Sequence, residues 1–433
     1  MNVGIARARI TPPRPVWMAG FAARDHHSEG VYQDLFAKAL ALDDGENRAA
    51  LITTDLLFFD DILQQRIEAR LRDSLGLQPR EIILTASHTH CGPALVERQR
   101  PVYPDLDEEY LADLVTRVGG AVEAAFAGLR EAPLAFGIGT CDMGVNRRLT
   151  TPDGVVMQPN PDGPTDPQVA VLRAGDAVVM NYACHPTTMG GYLIGGDYPG
   201  FAQRIIEQLM PNPSGPRGGP SGSQRGAQAM FVQGCGGDVK PRNVGPDGRF
   251  QSGPLEAVER CGRQLADVVW STLNGPTQPV DGPIATRRAD FELPLADPPT
   301  RAQAEAALDD SNPFRVKWAK RMLEIMDGGG EFDRARPAMV QVLTIGETFT
   351  LVALSGEICV EIGLRIKRLL QDRRLMVAGY AGPAALTSYV APTSRFSEGG
   401  YEVDGNYFYA LWPAPLRPDA EEMIIEKVMG LVA

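Results

Sequence analysis

The segment SHTHCGP, residues 87–93, carries the sharpest chemical pattern in the chain, because two histidines stand two positions apart. In extended backbone, residues i and i+2 share a face, so the imidazoles of His88 and His90 can point at one centre. Neutral imidazole is the commonest metal ligand in proteins and is also a proton carrier. The pattern fits a metal or catalytic site, and it equally fits two loop histidines that are hydrogen-bonded to backbone or water.

A third histidine and a carboxylate could complete such a centre. His185 lies in ACHPTT and Glu357 in SGE, each where an apolar run ends. A lone histidine after a strand is more often structural, and a glutamate in the first turn of a helix commonly suits the helix dipole. Two or three histidines plus one carboxylate would, however, make an open zinc site with room for water.

The segment GCGGDVKP, residues 234–241, follows the apolar run 229–232. Glycine lets backbone N–H groups approach an anionic atom, so Gly236 and Gly237 are candidates for substrate binding, with a tight turn as the alternative. Cys91, Cys184 and Cys235 stand near these motifs, but their spacing has no cysteine-rich ligand signature, and we expect small neighbours of the site. A cysteine nucleophile paired with a histidine is a less favoured alternative. Serine hydrolase and NTPase assignments lack support, because there is no G-x-S-x-G elbow and no P-loop.

The elements that must position these residues follow a repeated pattern. Three pairs of apolar runs joined by turn residues predict hairpins over 36–54, 169–183 and 339–354, and a lone strand is predicted over 81–85. Asp55, His88, His185 and Glu357 each follow the end of such a run. In open α/β sheets, sites collect outside the carboxyl ends of strands. We therefore expect these four side chains to meet at one sheet edge, with Asp55 orienting a metal-bound histidine.

Amphipathic segments between these runs predict helices. They cover 61–75, 107–129, 199–209, 255–273, 301–326, 358–370 and 419–431. The expected fold class is α/β: a mixed β-sheet with helices packed against it and the metal site at the strand C-terminal ends. We expect residues 1–433 to form a single catalytic domain that contains a flexible Gly/Pro-rich loop over 211–228.

Composition limits the partners. Lys plus Arg number 42 and Asp plus Glu 54, so the net charge of -12 at pH 7 argues against nucleic acid as a partner. No run of about 18 apolar residues is present, so we expect no membrane span. The N-terminus has no apolar leader and the six cysteines are scattered, which together predict a cytoplasmic protein with free thiols.

In their order along the chain, several motifs resemble those in the N-terminal catalytic domain of the neutral/alkaline ceramidases. The motifs are VGIARARITPP at 3–13, SHTHCGP at 87–93, GVNR at 144–147, ACHPTT at 183–188, GCGGDVKP at 234–241, SY at 388–389 and GGYE at 399–402. The resemblance covers almost the whole chain. It implies a zinc enzyme that cleaves an N-acyl amide, with His88, His185, Glu357 and Tyr389 as zinc ligands.

The same resemblance implies catalytic roles for three further residues. His90 would contact the reacting group, and Arg147 and Tyr401 would face the scissile bond. General chemistry agrees, because arginine and tyrosine are donors suited to a developing oxyanion and a histidine can pass a proton to a leaving amine.

One position departs from the family pattern. Where the family carries a serine in its G-D/N-x-S-P motif, this chain has Lys240. The lysine ammonium is a compact charge on a long aliphatic chain, so it predicts a substrate with a carboxylate or phosphate near the scissile bond. The alternative is that Lys240 points to solvent. We also expect the family's secretion signal and its C-terminal immunoglobulin-like domain to be absent, which favours a small soluble substrate over a lipid.

The sequence therefore predicts a zinc-dependent hydrolase that cleaves the amide bond of a small, anionic, soluble substrate. Two alternatives stay open. One is hydrolysis of an ester or glycosidic bond at the same zinc, and the other is a non-catalytic zinc-containing binding protein.

Overall fold

The computed structural model describes residues 1–96, 106–210 and 227–433. The strands in these ranges are β1 (Asn2–Arg9), β2 (Gly30–Val31), β3 (Phe36–Asp43), β4 (Arg48–Thr54), β5 (Ile82–Ala86), β6 (Arg130–Glu131), β7 (Leu134–Thr140), β8 (Gly144–Thr151), β9 (Gly154–Asn160), β10 (Gln168–Ala174), β11 (Ala177–Tyr182), β12 (Leu193–Ile194), β13 (Gln228–Gln233), β14 (Val239–Pro241), β15 (Gln278–Val280), β16 (Ile284–Pro294), β17 (Ala335–Ile345), β18 (Phe349–Leu354), β19 (Glu357–Ile358), β20 (Arg374–Ala378) and β21 (Tyr389–Val390). The helices are α1 (Asp61–Leu75), α2 (Glu108–Ala127), α3 (Asp197–Leu209), α4 (Leu255–Asn274), α5 (Arg301–Ala306), α6 (Pro313–Asp327), α7 (Val360–Leu369), α8 (Ala384–Thr387) and α9 (Ala420–Val432).

Three mixed sheets contain the same unit, which is an antiparallel hairpin followed by a helix and a strand parallel to the second arm. The strand orders are β5-β4-β3-β1-β6, β13-β11-β10-β7-β15 and β16-β17-β18-β20. The parallel pairs are β4 with β5, β11 with β13 and β18 with β20, and α1, α3 and α7 lie between them in the chain. The three predicted hairpins are confirmed as β3–β4, β10–β11 and β17–β18.

The three sheets share one apolar core. Leu51 and Ile83 come to it from the first sheet, Val179 from the second, and Leu351 and Met376 from the third. Helices cover the outer faces: α1 and α2 pack on the first sheet, α3 and α4 on the second, and α7 and α9 on the third. Because both faces are covered, the hairpin strands and the strands parallel to them are apolar along nearly their whole length.

The α/β class is confirmed, but the single predicted sheet is replaced by these three sheets and by three smaller ones. The smaller ones are β14-β8-β9, β12-β2 and β19-β21. The continuous helix predicted over 301–326 is wrong, because α5 ends at Ala306 and α6 begins at Pro313. Asn312 caps α6 by accepting a 3.0 Å hydrogen bond from the Phe314 N–H. Proline suits the first position of a helix and breaks its interior.

The helix predicted over 61–75 is confirmed as α1, and the residues that cap its two ends explain its bounds. The carboxylate of Asp60 accepts from the Leu63 N–H at 2.9 Å, and Gly76 closes the helix at a φ of 70° that favours glycine. None of the helices in the described ranges has the length and apolar character needed to cross a bilayer. Residues 211–226 of the predicted Gly/Pro-rich loop lie outside the described residues.

Candidate metal centre

The carboxyl ends of strands from all three sheets meet at one place. His88 follows β5 of the first sheet, His185 follows β11 of the second, and Glu357 follows β18 of the third. The Nε2 atoms of His88 and His185 are 3.1 Å apart. Oε2 of Glu357 lies 3.1 Å from the first Nε2 and 3.2 Å from the second. The three side chains are buried, so the structure brings together the histidines and the carboxylate that the sequence analysis selected.

Backbone carbonyls fix the orientation of both imidazoles. Nδ1 of His88 is 2.9 Å from the carbonyl oxygen of Leu57, and Nδ1 of His185 is 2.8 Å from that of Gly236. A carbonyl oxygen can only accept, so each Nδ1 carries the hydrogen and donates it. Each Nε2 of a neutral ring therefore presents a lone pair to the other ring and to Glu357.

This arrangement of donor atoms fits a metal cation. Oε2 of Glu357 is buried and has no hydrogen-bond donor among the described residues. Burial lowers the pKa of His185 to about 4, and the charge of Arg147 acts in the same direction. The imidazole is thus neutral at pH 7, as a metal ligand must be. Two imidazole nitrogens and one carboxylate oxygen, all within 3.2 Å of each other, are donor types that bind a divalent cation.

His90 stands at the open side of this cluster. Its Nε2 is 3.2 Å from Nε2 of His88, and the ligand atoms of His88, His90 and His185 all lie within 4.8 Å of one another. Burial, followed by the neighbouring His88, lowers the pKa of His90 well below its usual range. Its Nδ1 has no hydrogen-bond partner in the described ranges, so no contact there fixes which nitrogen holds the proton.

Tyr389 is placed beside Glu357 by the sheet itself. In the short parallel pair β19–β21, Glu357 is the direct partner of Tyr389. The phenol oxygen lies 3.4 Å from Nε2 of His185 and accepts a 3.1 Å hydrogen bond from a terminal nitrogen of Arg147. Burial raises the pKa of Tyr389 well above its usual range, although the charge of Arg147 opposes this.

Arg147 and Tyr401 lie next to Tyr389. The guanidinium of Arg147 is buried and sits 5.4 Å from the centroid of the Tyr389 ring and 5.5 Å from that of Tyr401. The two tyrosine rings are 5.3 Å apart. The structure therefore brings the three residues together on the side of the cluster that Tyr389 forms.

Lys240 lies in β14, which pairs with the strand β8 that carries Arg147. Its Nζ lies 4.6 Å from the centroid of the Phe250 ring and forms no ion pair with a carboxylate of the described chain. Its residue partner across the ladder is Val145, two positions before Arg147. Burial and then the charge of Arg147 lower the pKa of Lys240 to about 8. The side chain of Lys240 is half-buried.

Gly236 and Gly237 are placed as supports of the cluster. The Gly237 N–H donates to the Ile358 carbonyl at 2.9 Å, and the Gly236 carbonyl accepts from His185. A Cβ on Gly237 would lie 2.7 Å from the carbonyl oxygen of Glu357, so only glycine lets the two backbones approach. Their predicted contact with substrate gains no support from these contacts, because the Gly237 N–H already has a partner.

The expectation for Asp55 is wrong. Its carboxylate accepts from the Phe36 N–H at 2.9 Å and from Nε2 of Gln203 at 3.0 Å. The Leu57 carbonyl, and not Asp55, holds Nδ1 of His88. The end of the predicted strand gave the correct position of Asp55 in the fold. The Asp55 side chain, however, contacts Phe36 and Gln203 and not the histidines.

Sequence reasoning missed Tyr380. Its ring centroid lies 4.2 Å from that of His88, and its hydroxyl oxygen is 3.4 Å from Nδ1 of His185. Tyr380 follows β20, and its φ of 56° is rare for a side chain of this size. His88 and Ser388 also have positive φ, at 64° and 59°. Such strain persists where the surrounding structure enforces it, often at a functional site.

The model of the family described as "Neutral/alkaline non-lysosomal ceramidase, N-terminal" matches residues 1–272. The chain belongs to this ceramidase family. Two solved structures share its fold with a TM-score of 0.77 each, and each match covers 100% of this chain and 74% of the other. One is the neutral ceramidase from Pseudomonas aeruginosa, at 20% identity, and the other is a ceramidase complexed with C2, at 18%.

We expect the purified ceramidase-family protein to bind one divalent cation at the His88–His185–Glu357 cluster. His88→Ala and His185→Ala should each lower the bound metal from about one equivalent to near zero, because each removes a lone pair from the centre. Elemental analysis after gel filtration measures this. His26→Ala is the matched control, since His26 is exposed and lies outside the cluster. Equal metal contents in all four proteins would contradict the assignment.

We expect Tyr380→Phe to weaken metal binding about 10-fold while the protein stays folded, because groups that orient metal ligands tune affinity. Competition with a chelating dye measures the affinity. Tyr110→Phe is the control, since it removes another buried hydroxyl, which donates to the Ile10 carbonyl far from the cluster. If both variants keep the wild-type affinity, the Tyr380 hydroxyl has no positioning role.

Proposed function

We propose that this protein is a zinc-dependent hydrolase that cleaves the amide bond of a small, anionic N-acyl compound. The observation that carries the proposal is the convergence of three acceptor atoms, from His88, His185 and Glu357, within 3.2 Å of each other. Membership of a ceramidase family supports the amide-hydrolase class.

The ligands would be His88, His185, Glu357 and Tyr389. Nitrogen and oxygen donors, with two histidines and one carboxylate, match catalytic zinc sites. When bound, zinc would supply a Lewis acid and lower the pKa of a water molecule to about 7.

The remaining side chains have roles that follow from their chemistry. Arg147 keeps its charge at every physiological pH, and together with the Tyr401 hydroxyl it would stabilise negative charge that develops on the carbonyl oxygen. His90 is neutral at pH 7, so it can accept a proton from the attacking water and pass it to the leaving nitrogen. With these roles, the scissile bond would lie between Arg147 and His90.

Lys240 would bind the anionic group of the substrate. The ammonium has no carboxylate partner among the described residues and is half-buried beside Arg147, so a ligand carboxylate or phosphate would supply the missing charge. Such a substrate is small and water-soluble, which fits the cytoplasmic location predicted from the sequence. That location stays a prediction.

The test is a substrate panel with product detection by mass spectrometry. It contains N-acyl amino acids, neutral N-acyl amines, N-acylsphingosine, carboxylic esters and aryl glycosides. We expect release of amine and carboxylic acid from the anionic amides, loss of turnover with a chelator, and recovery with zinc. Glu357→Gln should lower kcat/KM by about 100-fold or more, since even outer partners of metal ligands change activity by about 10- to 100-fold.

Glu361→Gln is the matched control for Glu357→Gln, because Glu361 lies on the same stretch of chain but pairs with Arg395 away from the cluster. Turnover of esters or glycosides alone would replace the amide assignment. Stoichiometric zinc with tight binding of an N-acyl amino acid, and no product from any class, would indicate a binding protein.

We expect Lys240→Met to remove the preference for an anionic substrate over its neutral amide, a loss of about 10- to 100-fold in relative kcat/KM, because hydrogen bonds to charged groups contribute about 1.5–3 kcal/mol. The ammonium is charged below its pKa of about 8. The preference should therefore be full near pH 7 and decline as the pH rises through 8. Paired kinetics on both substrates from pH 6.5 to 9.5 measure it.

Lys427→Met is the control, since Lys427 also sits over a phenylalanine ring, 5.8 Å from the Phe291 centroid, but on the exposed face of α9. An unchanged preference in Lys240→Met, or full activity on an anionic substrate in Lys240→Ser, would remove Lys240 from substrate binding.

A further inference from the structure

Glu402 is a buried carboxylate that holds two arginines at once. Its side chain is 2% exposed. Oε1 accepts from Nε of Arg147 at 2.7 Å, and Oε2 accepts from a terminal nitrogen of Arg148 at 2.8 Å. Burial alone would raise the pKa of Glu402, but the two guanidiniums lower it, so the group is ionised.

The two arginines do not depend on Glu402 equally. Arg148 also donates to the Gly399 carbonyl at 2.8 Å and pairs with Glu398 at 3.4 Å. Arg147 has Glu402 as its carboxylate partner among the described residues, and its other hydrogen bond is to the Tyr389 hydroxyl. Removing Glu402 therefore leaves a buried guanidinium without charge compensation at Arg147 but not at Arg148.

The strand beneath Arg147 is irregular at this position. In the β8–β9 pair, Asn146 faces Asn160 and Arg148 faces Met157, so two steps on β8 span three on β9. This is a bulge opposite Arg147, and it includes Pro159, which has no N–H to leave unpaired. Neighbouring residues of a regular strand point to opposite faces, yet Arg147 and Arg148 both reach one carboxylate here. The ladder alone does not fix the direction of the Arg147 side chain.

We propose that Glu402 is the positioning residue for Arg147. By occupying Nε it turns the outer edge of the guanidinium towards the Tyr389 oxygen and the metal cluster. The inference rests on the proposed function, in which Arg147 stabilises charge on the substrate, and it adds the group that aims this arginine. Glu402 itself touches neither the histidines nor Glu357 in the described contacts.

The alternative is that Glu402 is only a structural ion pair. A double-mutant cycle separates the two, with Glu402→Gln, Arg147→Met and the double variant assayed on the best amide of the panel. We expect Glu402→Gln to lower kcat by about 100-fold with KM within about threefold, since a 1 Å misplacement can cost about that much. In the Arg147→Met background, Glu402→Gln should change kcat by less than about twofold. Equal effects of Glu402→Gln in both backgrounds would overturn the proposal.

Glu207→Gln is the matched control for loss of a buried ion pair. Glu207 pairs with Lys38 at 2.6 Å and with Arg7 at 2.9 Å, away from the cluster. It should lower the melting temperature as Glu402→Gln does, but leave kcat unchanged. If it lowers kcat as much as Glu402→Gln does, the effect of Glu402 is one of general stability.

A crystal structure of Glu402→Ala, with Glu402→Gln as the substitute if the alanine variant does not fold, tests positioning without any substrate. We expect the Arg147 guanidinium to leave hydrogen-bond distance of the Tyr389 oxygen. A guanidinium that stays in place would overturn the inference, whatever the enzyme turns over. If the guanidinium moves but no compound of the panel is cleaved, the positioning stands and the proposed function fails.

Discussion

The structure depends on a buried cluster in which two imidazoles and one carboxylate face one another. Two imidazole lone pairs and a carboxylate oxygen lie within 3.2 Å of each other, and the opposite nitrogen of each ring is held by a backbone carbonyl. The rings cannot exchange tautomers without turning an N–H away from its acceptor and leaving the carbonyl unpaired. A cation is the simplest remedy, because it satisfies all three atoms without moving any of them. The fold therefore holds these three side chains at the spacing that a cation site requires.

Three copies of one topological unit hold His88, His185 and Glu357 together. In each sheet, the second arm of the hairpin and the strand parallel to it end on the same side, and the three sheets share one apolar core. Each sheet then supplies one member of the cluster from the loop after a strand. Such loops reach a common point only because the strands behind them are rigid and buried. Positive φ at His88, Tyr380 and Ser388 shows that the loops are held in conformations their side chains do not favour.

Much of the fold and of the site could be predicted from the sequence, because the spacing of apolar residues, the turn residues and the ends of strands are local signals. The three hairpins, α1 and the meeting of His88, His185 and Glu357 all followed from such signals. The division into three sheets did not, since it depends on which faces pack together across more than 300 residues. Asp55 was misplaced because a strand end gives the location of a residue and not the direction of its side chain. Tyr380 and Glu402 contact residues far away in the chain, and nothing near them in the sequence indicates those contacts, although Glu402 lies inside the GGYE motif.

The side chains of Arg147 and Lys240 are held in different ways, and the difference bears on what each could do. Arg147 is locked between Glu402 and Tyr389, so its charge has a fixed direction before any ligand arrives. A preorganised donor suits charge that develops during a reaction, because no reorientation is needed at that moment. Lys240 has a flexible stem, a ring beneath its ammonium and no carboxylate partner in the described chain. A mobile ammonium suits a charge that the ligand carries from the start, since it can follow ligands of different length. Under the proposed function, a rigid arginine would serve the chemistry of the site and an adaptable lysine the choice of its substrate.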